Sequence, residues 1–322
     1  MVSVTESGGA LYPLAYPWAF DYWEKQQNNH WMPKEATMGD DVKDWENKLT
    51  IPEKNVVTQV FRLFTKSDEE IKNCYAEKYK KFFKRTEVSM MLTAFENMET
   101  VHLVAYAHLL QTLGLPEVEF SAFQQYEEMQ AKLDFIHSFD PETDMELAEA
   151  IAAFSAATEG ISLFASFAIL LNFPRHNKLK GMGDIIAWSV RDESMHCEGM
   201  AKLFQTFVAE KNLDKRILRP KVEKVIRQAV TNEFKFIDLV FEMGPVEGLE
   251  AQEVKDYMMW IANLRFNQLG FDGKLFEIDV MPLPWIPGML NAAEHGNFFE
   301  TRVTEYAKAS TEGEWDDNAY DF

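Results

Sequence analysis

Glutamate and histidine stand three residues apart at two places in this chain, in a pattern that could bind metal. The pairs are Glu99–His102 and Glu193–His196, each within a segment that is otherwise rich in apolar residues. Residues three apart in an α-helix lie on the same face, so each pair would present a carboxylate beside an imidazole. Oxygen and imidazole nitrogen together suit a divalent transition metal.

Both pairs fall on helix faces that should be buried. Steps of three and four residues give two such faces: Leu92, Phe95, Glu99, His102, Tyr106 and Leu109 in one segment, and Ile186, Ser189, Glu193, His196, Met200 and Leu203 in another. A single Glu-x-x-His pair is usually part of a solvated helix surface. Two copies on apolar faces favour one shared interior site.

Two further carboxylates are expected to point into the same interior. Glu159 stands in the middle of the apolar segment IAAFSAATEGISLFASFAILL, and Asp68 continues the helix face that begins with Phe61 and Phe64. Asp68 also starts a run of three acids, which alone would indicate an exposed surface, but its register favours burial. Four helices would therefore each bring one carboxylate inward.

Four buried carboxylates require neutralisation, because an unpaired buried charge strongly destabilises the folded state. Two divalent ions would balance them, and two neutral imidazoles would complete the ligand set. Helical bundles of the ferritin-like dinuclear type use this arrangement, here with an aspartate in place of one glutamate. The ligand types favour iron or manganese over zinc or calcium.

The elements that must position these residues are helices. Periodicity and breakers predict helices over 54–84, 87–113, 118–137, 144–172, 180–210, 216–242 and 251–270, and no strand pattern competes with them. We therefore predict an all-α, ferritin-like helical bundle with additional helices. An aromatic-rich N-terminal arm would occupy 1–50, the metal-binding helical domain 51–297, and a flexible C-terminal tail 298–322.

The amino-acid composition and net charge argue against some classes of binding partner. The formal net charge of −20 disfavours nucleic acid and anionic membranes as direct partners. The two cysteines have no paired metal spacing, and neither a signal peptide nor a membrane-spanning run is evident. A cytoplasmic protein is expected.

Separated motifs resemble the small, radical-generating subunit of class I ribonucleotide reductase over nearly the whole chain. The motifs are Trp31-Met32-Pro33-Lys34-Glu35, Phe64-Thr65-Lys66-Ser67-Asp68, Glu99-Thr100-Val101-His102, Glu159-Gly160-Ile161-Ser162, Arg191-Asp192-Glu193-Ser194-Met195-His196 and Phe298-Phe299-Glu300. The resemblance implies six metal ligands: Asp68, Glu99, His102, Glu159, Glu193 and His196. It also implies a stable radical on Tyr106, four positions after the first histidine.

The same resemblance implies radical transfer to a separate large catalytic subunit, which reduces ribonucleotides to deoxyribonucleotides. Trp31 and Asp192 match the internal relay of the family, with Asp192 hydrogen-bonded to the free nitrogen of His102. Tyr306, with Glu300 nearby, matches the relay across the subunit interface. The last residues of the tail would dock on the large subunit, and the small subunit is expected to be a homodimer.

The identity of the metal stays open at this point. Lys72, one turn after Asp68, resembles a subset of the family that uses two manganese ions, activated by superoxide, and keeps no tyrosyl radical. Tyr106 would then be a spectator, and the oxidising equivalent would reside on high-valent metal. A lysine whose amine reaches solvent is the alternative explanation. The centre could hold two iron ions, two manganese ions or one of each.

Two other functions share the fold. A self-contained two-metal oxidase or hydroxylase would act on a small apolar substrate, but it would need neither Trp31 and Asp192 nor a tyrosine-bearing tail. A ferritin-like metal store would predict a shorter chain that assembles into a cage. Nucleotide specificity and allosteric control would belong to the large subunit and cannot be read from this sequence.

Overall fold

A computed structural model of the protein describes residues 3–8 and 10–291. Backbone contacts group the chain into two compact units, Met1–Leu283 and Pro284–Phe322. Of the second unit, residues 284–291 are described, and 286–291 form a short helix. The boundaries expected at residues 50 and 298 stay predictions. Glu300, Tyr306 and the rest of the expected tail lie outside the described residues.

Helices make up the regular structure of the first unit. The α-helices are α1 (Pro17–Asn28), α2 (Gly39–Asn47), α3 (Ile51–Asn73), α4 (Thr86–Thr112), α5 (Glu127–His137), α6 (Asp144–Ala152), α7 (Phe164–Arg175), α8 (Lys180–Glu210), α9 (Lys215–Val240) and α10 (Ala251–Gln268). Two π-helical segments, Cys74–Tyr79 and Ala153–Glu159, extend α3 and α6. In the described ranges the only β-type pairing is an isolated bridge. The all-α prediction is confirmed.

The first fifty residues contain two helices that the sequence analysis did not predict. Pro17 starts α1, because its fixed φ suits the first helical position. In α2, the buried Asp41 accepts hydrogen bonds from the backbone N–H groups of Gly181 (3.0 Å) and Met182 (2.7 Å). The N-terminal segment thereby caps the first turn of α8 from outside that helix.

The helix predicted over 54–84 begins earlier and ends earlier. Thr50 and Glu53 form a capping box, which starts α3 at Ile51. The segment Cys74–Tyr79 then continues the helix with π geometry, which inserts one extra residue per turn and shifts the direction of later side chains. The helix predicted over 118–137 is an α-helix only from Glu127, since shorter 3₁₀ turns at Glu117–Phe120 and Ala122–Gln125 precede it.

The helix predicted over 144–172 is broken directly after Glu159. Arg265 donates from Nε to the carbonyl oxygen of Gly160 (3.1 Å), and Lys132 donates from Nζ to that of Ser162 (2.6 Å). Both carbonyls would otherwise bond within the helix, so the two cations explain the break. A Cβ at Gly160 would lie 2.8 Å from Arg265 Nε, which accounts for glycine at this position.

The stretch Asp144–Arg175 is the one helical stretch in the described ranges that is long and apolar enough to cross a membrane. Its apolar window is entirely buried inside the fold. Such burial is expected for a helix at the centre of a folded domain. This stretch carries Glu159 into the interior, where it faces α8.

Candidate metal centre

The structure brings together all six residues that the sequence analysis predicted as metal ligands. Asp68 is 1% exposed, and the other five side chains are fully buried. Their ligand atoms form two overlapping groups, in each of which the atoms lie within 4.8 Å of one another. One group is Glu99, Glu159, Glu193 and His196, and the other is Asp68, Glu99 and His102.

Glu99 belongs to both groups, and both Glu99 and Glu193 lie close to the two histidines. Nδ1 of His196 lies 3.0 Å from Glu99 Oε1 and 3.3 Å from Glu193 Oε2. Nδ1 of His102 lies 3.5 Å from Glu99 Oε2 and 3.1 Å from Glu193 Oε1. Glu99 and Glu193 therefore stand between the imidazoles, whereas Glu159, 3.8 Å from His196 Nδ1, belongs to one side only.

The chemistry of this donor set fits cations. Within the described residues, the cluster atoms that are buried and lack a hydrogen-bond donor or acceptor are Asp68 Oδ2, both carboxylate oxygens of Glu99, Glu159 and Glu193, and Nδ1 of His102 and His196. Orphaned polar atoms are rare in protein interiors, and here they all converge on one another. Two divalent ions would satisfy them together and would neutralise the four carboxylates.

The carboxyl groups of Glu159 and Asp68 have raised pKa values, because both are buried beside other acids. Burial raises the pKa of Glu159 to about 8, and the neighbouring charge of Glu193 adds to this. Burial and the charge of Glu99 likewise raise the pKa of Asp68 well above its ordinary value. Protons on these two carboxyl groups would reduce the net negative charge of the cluster.

The histidines shift in the direction that also reduces the net negative charge of the cluster. Burial by itself would lower the pKa of His102, but Asp192, Glu193 and Glu99 outweigh it and hold the pKa well above its ordinary value. The pKa of His196 is raised for the same kind of reason, by Glu159, Glu193 and Glu99 against burial. Metal binding must displace these protons.

Tyr106 lies in an aromatic pocket beside the cluster. Its ring is 1% exposed and stacks on Phe64 at a centroid distance of 4.5 Å, with Phe61 at 6.3 Å. The ring of His102 lies 6.2 Å from that of Tyr106. Burial, followed by the charge of Asp68, raises the pKa of Tyr106 well above its usual value, so the phenol is neutral.

Trp31 and Asp192 connect the cluster to the N-terminal segment. The indole Nε1–H of Trp31 donates to Asp192 Oδ2 at 2.7 Å. The same oxygen lies 3.4 Å from Nε2 of His102, so one carboxylate oxygen contacts both the indole and a cluster imidazole. All three side chains are at most 2% exposed.

Two residues at the cluster were missed by the sequence analysis. Gln26 on α1 contacts both Asp192 and His196. Tyr75 is fully buried, with its ring 6.2 Å from that of His196, and burial followed by the charge of Glu159 raises its pKa well above its usual value. Tyr75 is therefore a second neutral phenol beside the carboxylates.

Lys72 is half-buried, and no hydrogen bond or ion pair joins it to the cluster carboxylates in the part of the chain that the structure describes. The nearby cation Lys66 pairs instead with Glu69 and Glu70, at 2.7 and 2.6 Å. The assignment of Lys72 to the surroundings of the metal centre stays a prediction.

Comparison with known proteins agrees with the family resemblance of the sequence motifs. The sequence model of the family described as "Ribonucleotide reductase, small chain" matches residues 10–282. The "Probable ribonucleoside-diphosphate reductase small subunit 376L" of Invertebrate iridescent virus 6 is 39% identical over 94% of this chain and 95% of its own length. The "Ribonucleoside-diphosphate reductase subunit beta" of Chlamydia pneumoniae is 27% identical over 93% of this chain and 90% of its own length.

Solved structures show the same fold at lower sequence identity. A class I ribonucleotide reductase from Bacillus halodurans, described as putative, superposes with a TM-score of 0.78 at 21% identity, covering 85% of this chain and 99% of its own. Streptococcus sanguinis dimanganese(II)-NrdF superposes with a TM-score of 0.75 at 22% identity, covering 88% of this chain and 99% of its own.

Proposed function

Since this chain belongs to the ribonucleotide reductase small-chain family, we propose that it is the radical-generating small subunit of a ribonucleoside-diphosphate reductase. Two metal ions would be held by Asp68, Glu99, His102, Glu159, Glu193 and His196. The observation that carries the proposal is the convergence of buried, unpartnered ligand atoms from four helical segments. When bound, the ions supply the redox chemistry that converts an oxygen species into an oxidising equivalent.

The protein side chains divide the remaining tasks. Glu99 and Glu193 lie close to both histidines, and together with the other four residues they would hold the two ions. The stacked rings around Tyr106 exclude water from the phenol, which favours a long-lived radical there. The oxygen and imidazole donors suit iron or manganese, and metal analysis of the purified protein would identify which is bound.

Asp192 would orient His102 and connect it to Trp31. A carboxylate on the outer nitrogen of a metal-bound imidazole fixes the ring orientation and makes the ligand more basic. The hydrogen-bonded series His102, Asp192 and Trp31 provides a continuous buried path between the cluster and the N-terminal segment. We assign it the transfer of the oxidising equivalent away from the centre.

The transfer would end on a large catalytic subunit, which binds the ribonucleotide. Glu300 and Tyr306, outside the described residues, would continue the path, and the C-terminal tail would dock on this partner. The two alternative functions receive no support from the comparisons, because the cited relatives, which cover over nine-tenths of this chain, are named as a small subunit or subunit beta of ribonucleoside-diphosphate reductase. A homodimer in the cytoplasm completes the proposal.

Deletion of residues from 300 onward tests the proposal. Mixed with its large subunit, the shortened chain should lose ribonucleotide reduction while retaining two metal ions and the spectrum of the full chain. The substitution Tyr306→Phe, which retains the tail, separates radical transfer from docking: it should abolish reduction but preserve binding. Full activity of the deleted chain would contradict the proposed role of the tail.

A further inference from the structure

Gln26 is buried although it lies in the polar C-terminal end of α1. It is 2% exposed, although its neighbour Gln27 faces solvent. Its Oε1 lies 3.1 Å from Nε2 of His196, and its Nε2 lies 3.3 Å from Oδ1 of Asp192. One amide thus bridges the outer nitrogen of one cluster imidazole and the carboxylate that contacts the other.

The chemistry of the three groups allows one arrangement of hydrogen bonds. Ionised Asp192 can only accept, so the amide group of Gln26 must turn its NH₂ toward it. Oε1 then faces His196 and can only accept, which requires a proton on Nε2 of that ring. Once a metal displaces the second ring proton, Nδ1 of His196 presents its lone pair on the side of Glu99, Glu159 and Glu193, as a metal ligand requires.

The reversed amide is disfavoured on both sides. It would place Oε1 against the carboxylate oxygen of Asp192, and its NH₂ would demand the lone pair of His196 Nε2. The ring proton would then move to Nδ1, the nitrogen that must lose its proton in order to bind a metal. The charge of Asp192 therefore selects the amide orientation, and the amide selects the ring tautomer.

We propose that Gln26 is a positioning residue through which Asp192 orients both metal-binding imidazoles, His102 directly and His196 by way of the amide. This inference rests on the proposed metal centre. Trp31, Asp192, His102, Gln26 and His196 then form one branched, buried network. Both metal positions would be connected to Trp31 through the same carboxylate.

The test compares Gln26→Met, which keeps the volume without the hydrogen bonds, with the matched surface variant Gln27→Met. Stepwise Mn²⁺ titration of each metal-free protein, followed by electron paramagnetic resonance of the free ion, yields two dissociation constants. Loss of a partner on the outer nitrogen of a metal-binding histidine costs about 10- to 100-fold in affinity. Gln26→Met should weaken one constant by that factor, and Gln27→Met should change neither.

A second measurement detects the Nε2 proton of the His196 ring directly. In the Zn²⁺-loaded wild-type protein, the Nε2 proton of His196 should give a slowly exchanging nuclear magnetic resonance signal. That signal should disappear through rapid exchange in Gln26→Met. The conservative Gln26→Glu can share a proton with Asp192 and still accept from His196, so it should retain both the signal and the affinity.

The outcomes separate this inference from the function on which it rests. Two unchanged Mn²⁺ constants in Gln26→Met would overturn the role of Gln26 alone, as would a rapidly exchanging His196 signal in the wild-type protein. Because that signal is measured in the wild-type protein, it tests the role of Gln26 even if Gln26→Met does not fold. Equal weakening by Gln26→Glu and Gln26→Met would also overturn it. Fewer than two Mn²⁺ ions in the wild-type protein would overturn the metal centre itself.

Discussion

The indole Nε1–H of Trp31 donates a 2.7 Å hydrogen bond to Oδ2 of Asp192, and both side chains are buried. A bond this short to an ionised acceptor is of the strong, charge-assisted kind. Trp188 provides a contrast, because its ring lies 5.1 Å from that of Trp31 while its Nε1–H has no hydrogen-bond partner among the described residues. The two neighbouring indoles differ in their connection to the cluster.

Trp31→Phe should therefore lower the rate of ribonucleotide reduction far more than Trp188→Phe does. The phenylalanine retains an aromatic ring but loses the N–H that contacts Asp192, so we expect reductase activity to fall by at least about 10- to 100-fold. Activity with an excess of large subunit, together with metal content, gives the comparison. Equal losses in the two variants, or normal activity in Trp31→Phe, would refute the assigned path.

Tyr106→Phe should remove any tyrosyl radical signal while leaving metal content unchanged. The phenol supplies the oxidisable O–H, and the stacking on Phe64 is retained by the phenylalanine ring. Tyr75→Phe is the matched control, because Tyr75 is also buried beside the cluster carboxylates. Electron paramagnetic resonance of the activated proteins distinguishes them. A signal lost in Tyr75→Phe and retained in Tyr106→Phe would reassign the radical, and activity without any tyrosyl signal would make Tyr106 a spectator.

Metal affinity should fall as the pH falls below about 8. Burial raises the pKa of Glu159 to about 8, so its carboxyl group is largely protonated at neutral pH in the metal-free chain. Because the metal must displace this proton from the carboxyl group, the affinity should fall about tenfold for each pH unit below this pKa. Mn²⁺ dissociation constants between about pH 6 and 8 test this, with proton release followed by an indicator dye. Affinity that is independent of pH would contradict it.

The buried pair Lys132–Glu233 should destabilise the fold when only one partner is removed. Their Nζ–Oε1 distance is 2.7 Å, and the side chains are 4% and 0% exposed. Lys132→Met leaves an unpaired buried carboxylate, which should cost about 3 to 5 kcal/mol of unfolding free energy. The double variant Lys132→Met/Glu233→Leu removes that charge. Its loss of unfolding free energy should be only about 1 to 3 kcal/mol, because the carbonyl oxygen of Ser162 still loses its hydrogen bond from Lys132.

Urea unfolding of the metal-free proteins measures both values. The exposed pair Arg216–Asp214 supplies the control, since Arg216→Met should not change the unfolding midpoint measurably. A double variant less stable than Lys132→Met would show that the penalty is not the unpaired charge.

The sequence predicts the parts of the site that depend on regular helical spacing. The faces through Glu99 and Glu193 are regular, and every residue placed on them is buried. Glu159 could be singled out as the acid within an apolar segment. The break behind it could not, because it depends on Arg265 and Lys132 from distant helices.

The missed residues lie where local signals are weak. Gln26 lies in the polar C-terminal end of α1, and nothing in its sequence surroundings distinguishes it from the exposed Gln27. Tyr75 follows α3 in a π-helical segment, whose extra residue changes which side chains face inward. Both positions are determined by tertiary contacts that residue spacing does not encode.

The central claim is that six side chains hold two metal ions, and anomalous diffraction from crystals grown with Mn²⁺ tests it most directly. We predict two peaks per chain, one beside Asp68 and His102 and one beside Glu159 and His196, with Glu99 and Glu193 in contact with both. A single peak, or peaks away from these residues while the cluster stays protonated and collapsed on itself, would contradict the account.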